Sequence, residues 1–186
     1  MGLFSEMSKI TDSLYLTGIG GMTQENMQRN RIKCVINISH QEELKTEEGV
    51  EYLKFNAFDD ETTNISCYFD TAADKIDEVE RKGGATVVHC MCGVSRSSTL
   101  VLAYLIKYKR MSLKDAFRFA HQRRNVIRPN NGFFTQLIAY EKRITGKTTA
   151  KMIKVKRGKV EVEIPDFFEN EYKKLVLLEI LRKVPR

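Results

Sequence analysis

Residues 87–105 read VVHCMCGVSRSSTLVLAYL. A run of apolar, β-branched residues stops at His89. Two cysteines, a glycine, serines and an arginine follow, and from Ser97 an apolar pattern of helical period begins. A buried strand, a loop of small residues and a buried helix in direct succession form a unit of an α/β sheet. The loop between such a strand and helix is a natural anion site. The helix's free N–H groups point into it, and the helix dipole favours negative charge there. Gly93 permits backbone angles that a side chain forbids, so the loop can curl its N–H groups toward one point. Arg96 adds a planar fork that matches two phosphate oxygens. The simplest anion for this cradle is a phosphoryl group, held by Met91, Cys92, Gly93, Val94, Ser95 and Arg96. Cys90 lies at the bottom of the positive field, which favours the thiolate over the thiol. A thiolate beneath a bound phosphoryl group is a nucleophile in position.

Reading outward, residues 10–17 (ITDSLYLT) form a first strand, broken by the glycines after it. Thr23 caps a short helix to about Arg31. IKCVINIS (32–39) is a nearly continuous apolar run and reads as a buried strand. VEYLKFNAF (50–58) alternates as another strand. Phe69, Ala73, Ile76 and Val79 have helical spacing, ended by Gly83-Gly84, and ATVVHC (85–90) is the next strand. Leu100, Val101, Tyr104 and Leu105 mark the apolar face of a helix over 97–108. SLKD at 112–115 opens another helix in capping-box fashion. Asn130 or Asn131 caps a last one that Gly146 stops. The expectation is an α/β domain with a central mixed, mostly parallel sheet of four to five strands flanked by helices.

The 186 residues are 42% hydrophobic and 30% charged, which suits a soluble domain with a real core. No run is long and apolar enough for a membrane span. The start has no signal-peptide pattern, and Glu6 stands where a myristoylation motif at Gly2 needs Ser or Thr. Four sparse cysteines fit a reducing compartment: the cytoplasm, with the nucleus also open. The net charge is +7; residues 148–186 carry ten Lys and Arg against six Asp and Glu, leaving +3 for the body. Mild basicity suits an anionic substrate, while no aromatic-basic stripe suggests nucleic acid.

HCMCGVSRSS (89–98) resembles the signature of the dual-specificity protein phosphatases, H-C-x-x-G-x-S-R-S. YFDTAADKI, LAYLIKY, MSLKDA and IRPNNGF resemble the small atypical members of that family, over residues 10–147. The tail resembles that of one small subgroup. The resemblance implies hydrolysis of phosphotyrosine and phosphoserine/threonine in proteins through a cysteinyl-phosphate. It also implies an acid on a loop about thirty residues before the nucleophile: Asp59 first, Asp60 second. Ser97 resembles the hydroxyl that hydrogen-bonds the departing thiolate. Asn130 resembles a position bracing the acid or phosphate loop, a helix cap being the other reading. His89 orders the loop from behind. No metal and no cofactor is expected. Met91, Cys92 and Val94 are neutral where inositol-lipid members tend to carry Lys, which favours phosphoproteins as partners. The rival readings are a catalytically weak phospho-binding scaffold and a phosphatase of RNA 5′ ends or lipids.

The expected organisation is an extension (1–9), a catalytic domain (10–147) and a basic, helical tail (148–186). In the tail Lys151, Lys154, Lys156, Arg157 and Lys159 form a basic run. Asp166 caps a helix, Glu169 closes its box, and Phe168, Tyr172, Leu175, Val176, Leu178 and Ile180 supply its apolar residues. Docking on the domain away from the phosphate loop is the favoured role, with self-association through the tail as a second.

Overall fold

The computed structural model of the chain describes residues 5–40, 48–157 and 160–174. The elements run β1 (Ser8–Lys9), β2 (Leu14–Gly18), α1 (Gln24–Arg29), β3 (Ile32–Ile38), β4 (Glu51–Phe55), α2 (Phe69–Arg81), β5 (Ala85–Cys90), α3 (Arg96–Lys107), α4 (Leu113–Arg123), α5 (Asn131–Thr145), β6 (Met152–Arg157) and β7 (Val160–Pro165). β1 to β5 form one sheet in the order β1-β2-β5-β3-β4. β1 is antiparallel to β2, and the other pairings are parallel. The mixed, mostly parallel sheet expected from the sequence therefore has five strands. β5 lies at its centre, and its last residue is Cys90.

Side-chain alternation along the strands divides the core in two. Leu14, Leu16, Ile36, Val88 and Cys90 face a large core closed by α2, α3, α4 and α5. Tyr15, Val35, Ala85 and Val87 face a smaller one with Met27 of α1. Residues 97–106 of α3 are buried without a break. The sequence suggested one apolar face, but β5, α2, α4 and α5 all pack against this helix and leave it no solvent side. The helix starts follow the expected capping: Thr23 Oγ1 accepts from the Asn26 N–H, Ser112 Oγ from Asp115, and Asn130 Oδ1 from Phe133. Gly146 ends α5 at φ +78°. No described helix is long and apolar enough to cross a membrane.

Two regions depart from the sequence reading. The first strand begins at Leu14, because the N–H groups of Ile10 and Thr11 both donate to Leu14 O and turn the chain back on itself. Residues read as an extension thereby supply the edge strand β1 and, in Met7, part of the smaller core. The basic run of the tail is half of a β-hairpin. Ile153 stands opposite Ile164 and Val155 opposite Val162, while Lys154 faces Glu163 and Lys156 faces Glu161.

Beyond the hairpin, Phe167 and Phe168 pack against Phe117 of α4 and Phe134 of α5, with ring centroids 5.1 to 5.6 Å apart. Ala150, Ile164 and Phe168 share the large core, so these three residues of the tail pack as part of the domain. Glu141, fully buried, ties the start of the tail to α4. It accepts from the N–H groups of Leu113 and Thr149, each at 2.8 Å, and from Thr149 Oγ1 at 2.7 Å. Asp166 does not cap a helix. It begins a single 3-10 turn without a side-chain cap, and its carboxylate pairs with Lys114 at 2.9 Å. Glu169 pairs with Lys173 at 2.7 Å in the helical segment over 169–174. Gly2, Lys159, Leu175, Val176, Leu178 and Ile180 lie outside the described residues.

Candidate active site

Cys90 ends β5 in the large core, only 2% exposed. Its Sγ lies 3.1 Å from Ser97 Oγ and accepts the Gly93 N–H at 3.3 Å. A thiolate can only accept, so Ser97 donates to it in that form. The loop between β5 and α3 has its carbonyls turned outward, each one held. Met91 O accepts from the Ile19 N–H, Val94 O from the Arg128 N–H, and Ser95 O from the Thr99 N–H and hydroxyl. Cys92 O and Gly93 O accept from Arg124 at 3.1 and 2.9 Å. In a trans peptide the N–H points opposite to the preceding carbonyl. Five outward carbonyls therefore turn the N–H groups of residues 92–96 the other way, and the Gly93 N–H on Cys90 Sγ displays that direction. Gly93 has φ +67°, and a Cβ there would stand 2.4 Å from the Thr17 carbonyl carbon, so no other residue fits.

Arg96 opens α3. Its Nη1 donates to Ala57 O at 3.2 Å, and its Nε lies 3.6 Å from Asp59 Oδ2. That Nε is buried and makes no hydrogen bond. Asp59 stands just past β4, with Oδ1 accepting from Ser95 Oγ at 2.6 Å and from Asn130 Nδ2 at 3.1 Å. The two expected readings of Asn130 thus coexist: its oxygen caps α5 and its amide braces Asp59. Asp60, the alternative acid, is turned into its own loop. Its carboxylate accepts from the N–H groups and hydroxyls of Thr62 and Thr63. Those bonds hold its pKa down at about 2, the wrong direction for a proton donor. Glu61 bonds Asn131 at 3.2 Å. His89, next to Cys90 at the end of β5, is 1% exposed and neither ring nitrogen has a hydrogen-bond partner. Burial lowers its pKa to about 4, so at neutral pH it is an uncharged filler behind the loop.

Met91 and Cys92 are exposed at the loop's surface, and Cys92 is a free thiol, as is Cys90. Residues that sequence reasoning passed over hold the frame. Gln136 of α5 accepts from the N–H groups of Ile65 and Ser66 and donates to Thr63 O, pinning the far end of the acid loop. At Gly132 a Cβ would stand 2.0 Å from Glu61 O, so α5 packs backbone to backbone against that loop. Arg124, 3% exposed, holds two loop carbonyls. Nothing in the RR pair at 123–124 separates it from its neighbour, and both read as helix-end cations. Among the described residues no group of three His, Cys, Asp or Glu converges as a metal site.

The model of the dual specificity phosphatase catalytic domain matches residues 14–143. The chain is 41% identical over 175 residues to dual specificity protein phosphatase 18 of Bos taurus, covering 94% of this chain and 91% of that protein. It is 42% identical over 172 residues to dual specificity protein phosphatase 14 of Homo sapiens, covering 91% and 84%. The crystal structure of human DUSP28 superposes with a TM-score of 0.70 at 29% identity, over 74% of this chain and 93% of that one.

Proposed function

The chain belongs to the dual specificity phosphatase family, and from that premise we propose which of its residues carry the reaction and on what substrate. It is a cysteine-dependent protein phosphatase for phosphotyrosine and phosphoserine/threonine. In our reading Cys90 Sγ attacks phosphorus, an S–P bond forms, and the P–O bond to the substrate breaks. Asp59 gives its proton to the leaving oxygen. A water then attacks the cysteinyl-phosphate, Asp59 takes that water's proton, the S–P bond breaks, and inorganic phosphate leaves. Ser97 donates to the departing thiolate. Arg96 and the inward N–H groups of the loop hold the equatorial oxygens throughout. For this the Arg96 Nε, which makes no hydrogen bond here, turns from Asp59 toward the phosphoryl group, which also frees the acid.

The observation that carries the reading is the Gly93 N–H and Ser97 hydroxyl converging on Cys90 Sγ, with Asp59 and Arg96 paired across Ser95. Neutral Met91, Cys92 and Val94 support a phosphoprotein over an inositol lipid. Free cysteines support residence in a reducing compartment, the cytoplasm or nucleus. A side-by-side assay with an aryl phosphate, phosphotyrosine and phosphothreonine peptides, a phosphoinositide and a triphosphate RNA tests the substrate class. Turnover of the aryl phosphate and both peptides is expected. A phosphoinositide or RNA preferred over both peptides contradicts it.

A further inference from the structure

Arg124 is a buried cation, at the C-terminal end of α4, whose hydrogen bonds all go to neutral oxygens. Its Nε donates to Gly93 O at 2.9 Å and its Nη2 to Cys92 O at 3.1 Å. Nη1 donates to Glu6 O at 3.0 Å and Ser8 Oγ at 3.2 Å. Burying a guanidinium without a carboxylate partner is costly, and the fold has taken on that cost directly behind the phosphate loop. The planar fork matters here. Two N–H vectors of one rigid group reach two consecutive carbonyls, so the Cys92–Gly93 and Gly93–Val94 peptides are fixed together. Each peptide's N–H lies opposite its carbonyl, so the groups aimed into the cradle are those of Gly93 and Val94. The other half of the guanidinium grips the N-terminal segment, which anchors it against the sheet edge.

We propose that Arg124 is a positioning residue for phosphoryl capture: it sets the inward direction of the Gly93 and Val94 N–H groups without touching the substrate. The proposal rests on the reading of the Cys90 loop as the phosphate site. Its charge and its shape make separate contributions. The charge adds to the positive field around Cys90, whose titratable and charged surroundings include His89, Arg96 and Asp59, with Cys92 and Glu6 also near Arg124. The shape aims the two donors, and a lysine keeps the first while losing the second.

Wild-type protein and Cys90→Ser first establish aryl-phosphate turnover and its loss, which tests the underlying reading by itself. Arg124→Lys and Arg124→Gln are then compared with wild type and with Val79→Ala, a buried variant in α2, well below every melting temperature. In both Arg124 variants kcat/KM for the aryl phosphate should fall by roughly tenfold or more, and inorganic phosphate should weaken comparably as a competitive inhibitor. Iodoacetate should lose its advantage over neutral iodoacetamide in alkylating Cys90. Val79→Ala should stay within about threefold of wild type on all three. Wild-type values in folded Arg124→Lys would overturn the proposal. Should neither variant fold, the wild-type protein still decides. Added inorganic phosphate should shift the Gly93 and Val94 backbone amide NMR resonances, and their staying in place overturns the assignment equally.

Discussion

Two adjacent carboxylates, Asp59 and Asp60, stand at the mouth of the site, and their surroundings separate them. Asp60 takes four hydrogen bonds from Thr62 and Thr63, which stabilise its ionised form. Asp59 faces the loop through Ser95 and Arg96. A general acid helps most where the leaving oxygen is most basic. Asp59→Asn should therefore lower kcat/KM by roughly 10²- to 10⁴-fold on a phosphotyrosine peptide and far less on an activated aryl phosphate. Asp60→Asn should leave the leaving-group dependence as in wild type, because its carboxylate holds a turn. A Brønsted plot for the two variants checks this, and a steepened slope for Asp60→Asn alone would reverse the assignment. Cys90, Arg96 and Gly93 were legible in the sequence because one motif demands all three. Arg124 was not. Its role depends on which way a helix end faces in space, and a doublet of arginines carries no record of that.

Among elements, the most legible was the run from β5 through its loop to α3. Its chemistry, its small residues and its apolar periodicity all point the same way. The tail hairpin was missed although its signal is present. From Ile153 to Ile164 apolar residues alternate with Lys and Glu on either side of Gly158 in the sequence, the period of a half-buried strand pair. The five cations read as a charged stretch, whereas Lys154 pairs with Glu161 across the hairpin at 3.1 Å. In α3 the four residues that the 3.6-residue pattern marks, Leu100, Val101, Tyr104 and Leu105, are buried, and small Ser97, Ser98, Thr99 and Ala103 let neighbours close in on the remaining sides as well. The acid loop shows how one element serves another. It has little regular structure of its own, and α5 supplies its frame through Asn130, Asn131, Gln136 and the close approach at Gly132.

Taken whole, the molecule continues its core past the region matched by the family model. Phe168 is 6% exposed and packs edge-on against Phe117 and Phe134, with the Arg128 guanidinium 4.5 Å above its ring. Arg128 also pairs with Glu171 at 3.4 Å, and its backbone N–H holds Val94 O at 2.8 Å. The tail thus reaches closer to the phosphate loop than its sequence suggested, though through a backbone contact that a side-chain change leaves in place. Phe168→Ala should destabilise the protein by about 3 kcal/mol, with a melting temperature lower by roughly 6–12 °C, while aryl-phosphate turnover at 25 °C stays within about threefold. Calorimetry and a steady-state assay on the same preparation check both halves; an unchanged melting temperature would mean that the aromatic cluster adds no stability.

The central claim is that Cys90 becomes covalently phosphorylated in every turnover. Rapid acid quenching of the enzyme with a phosphotyrosine peptide, followed by peptide mass spectrometry, tests it directly. Phosphate on Cys90 is expected in the wild-type enzyme, with neither adduct nor turnover in Cys90→Ser. Turnover retained in Cys90→Ser, or phosphate trapped on a different residue, would contradict it.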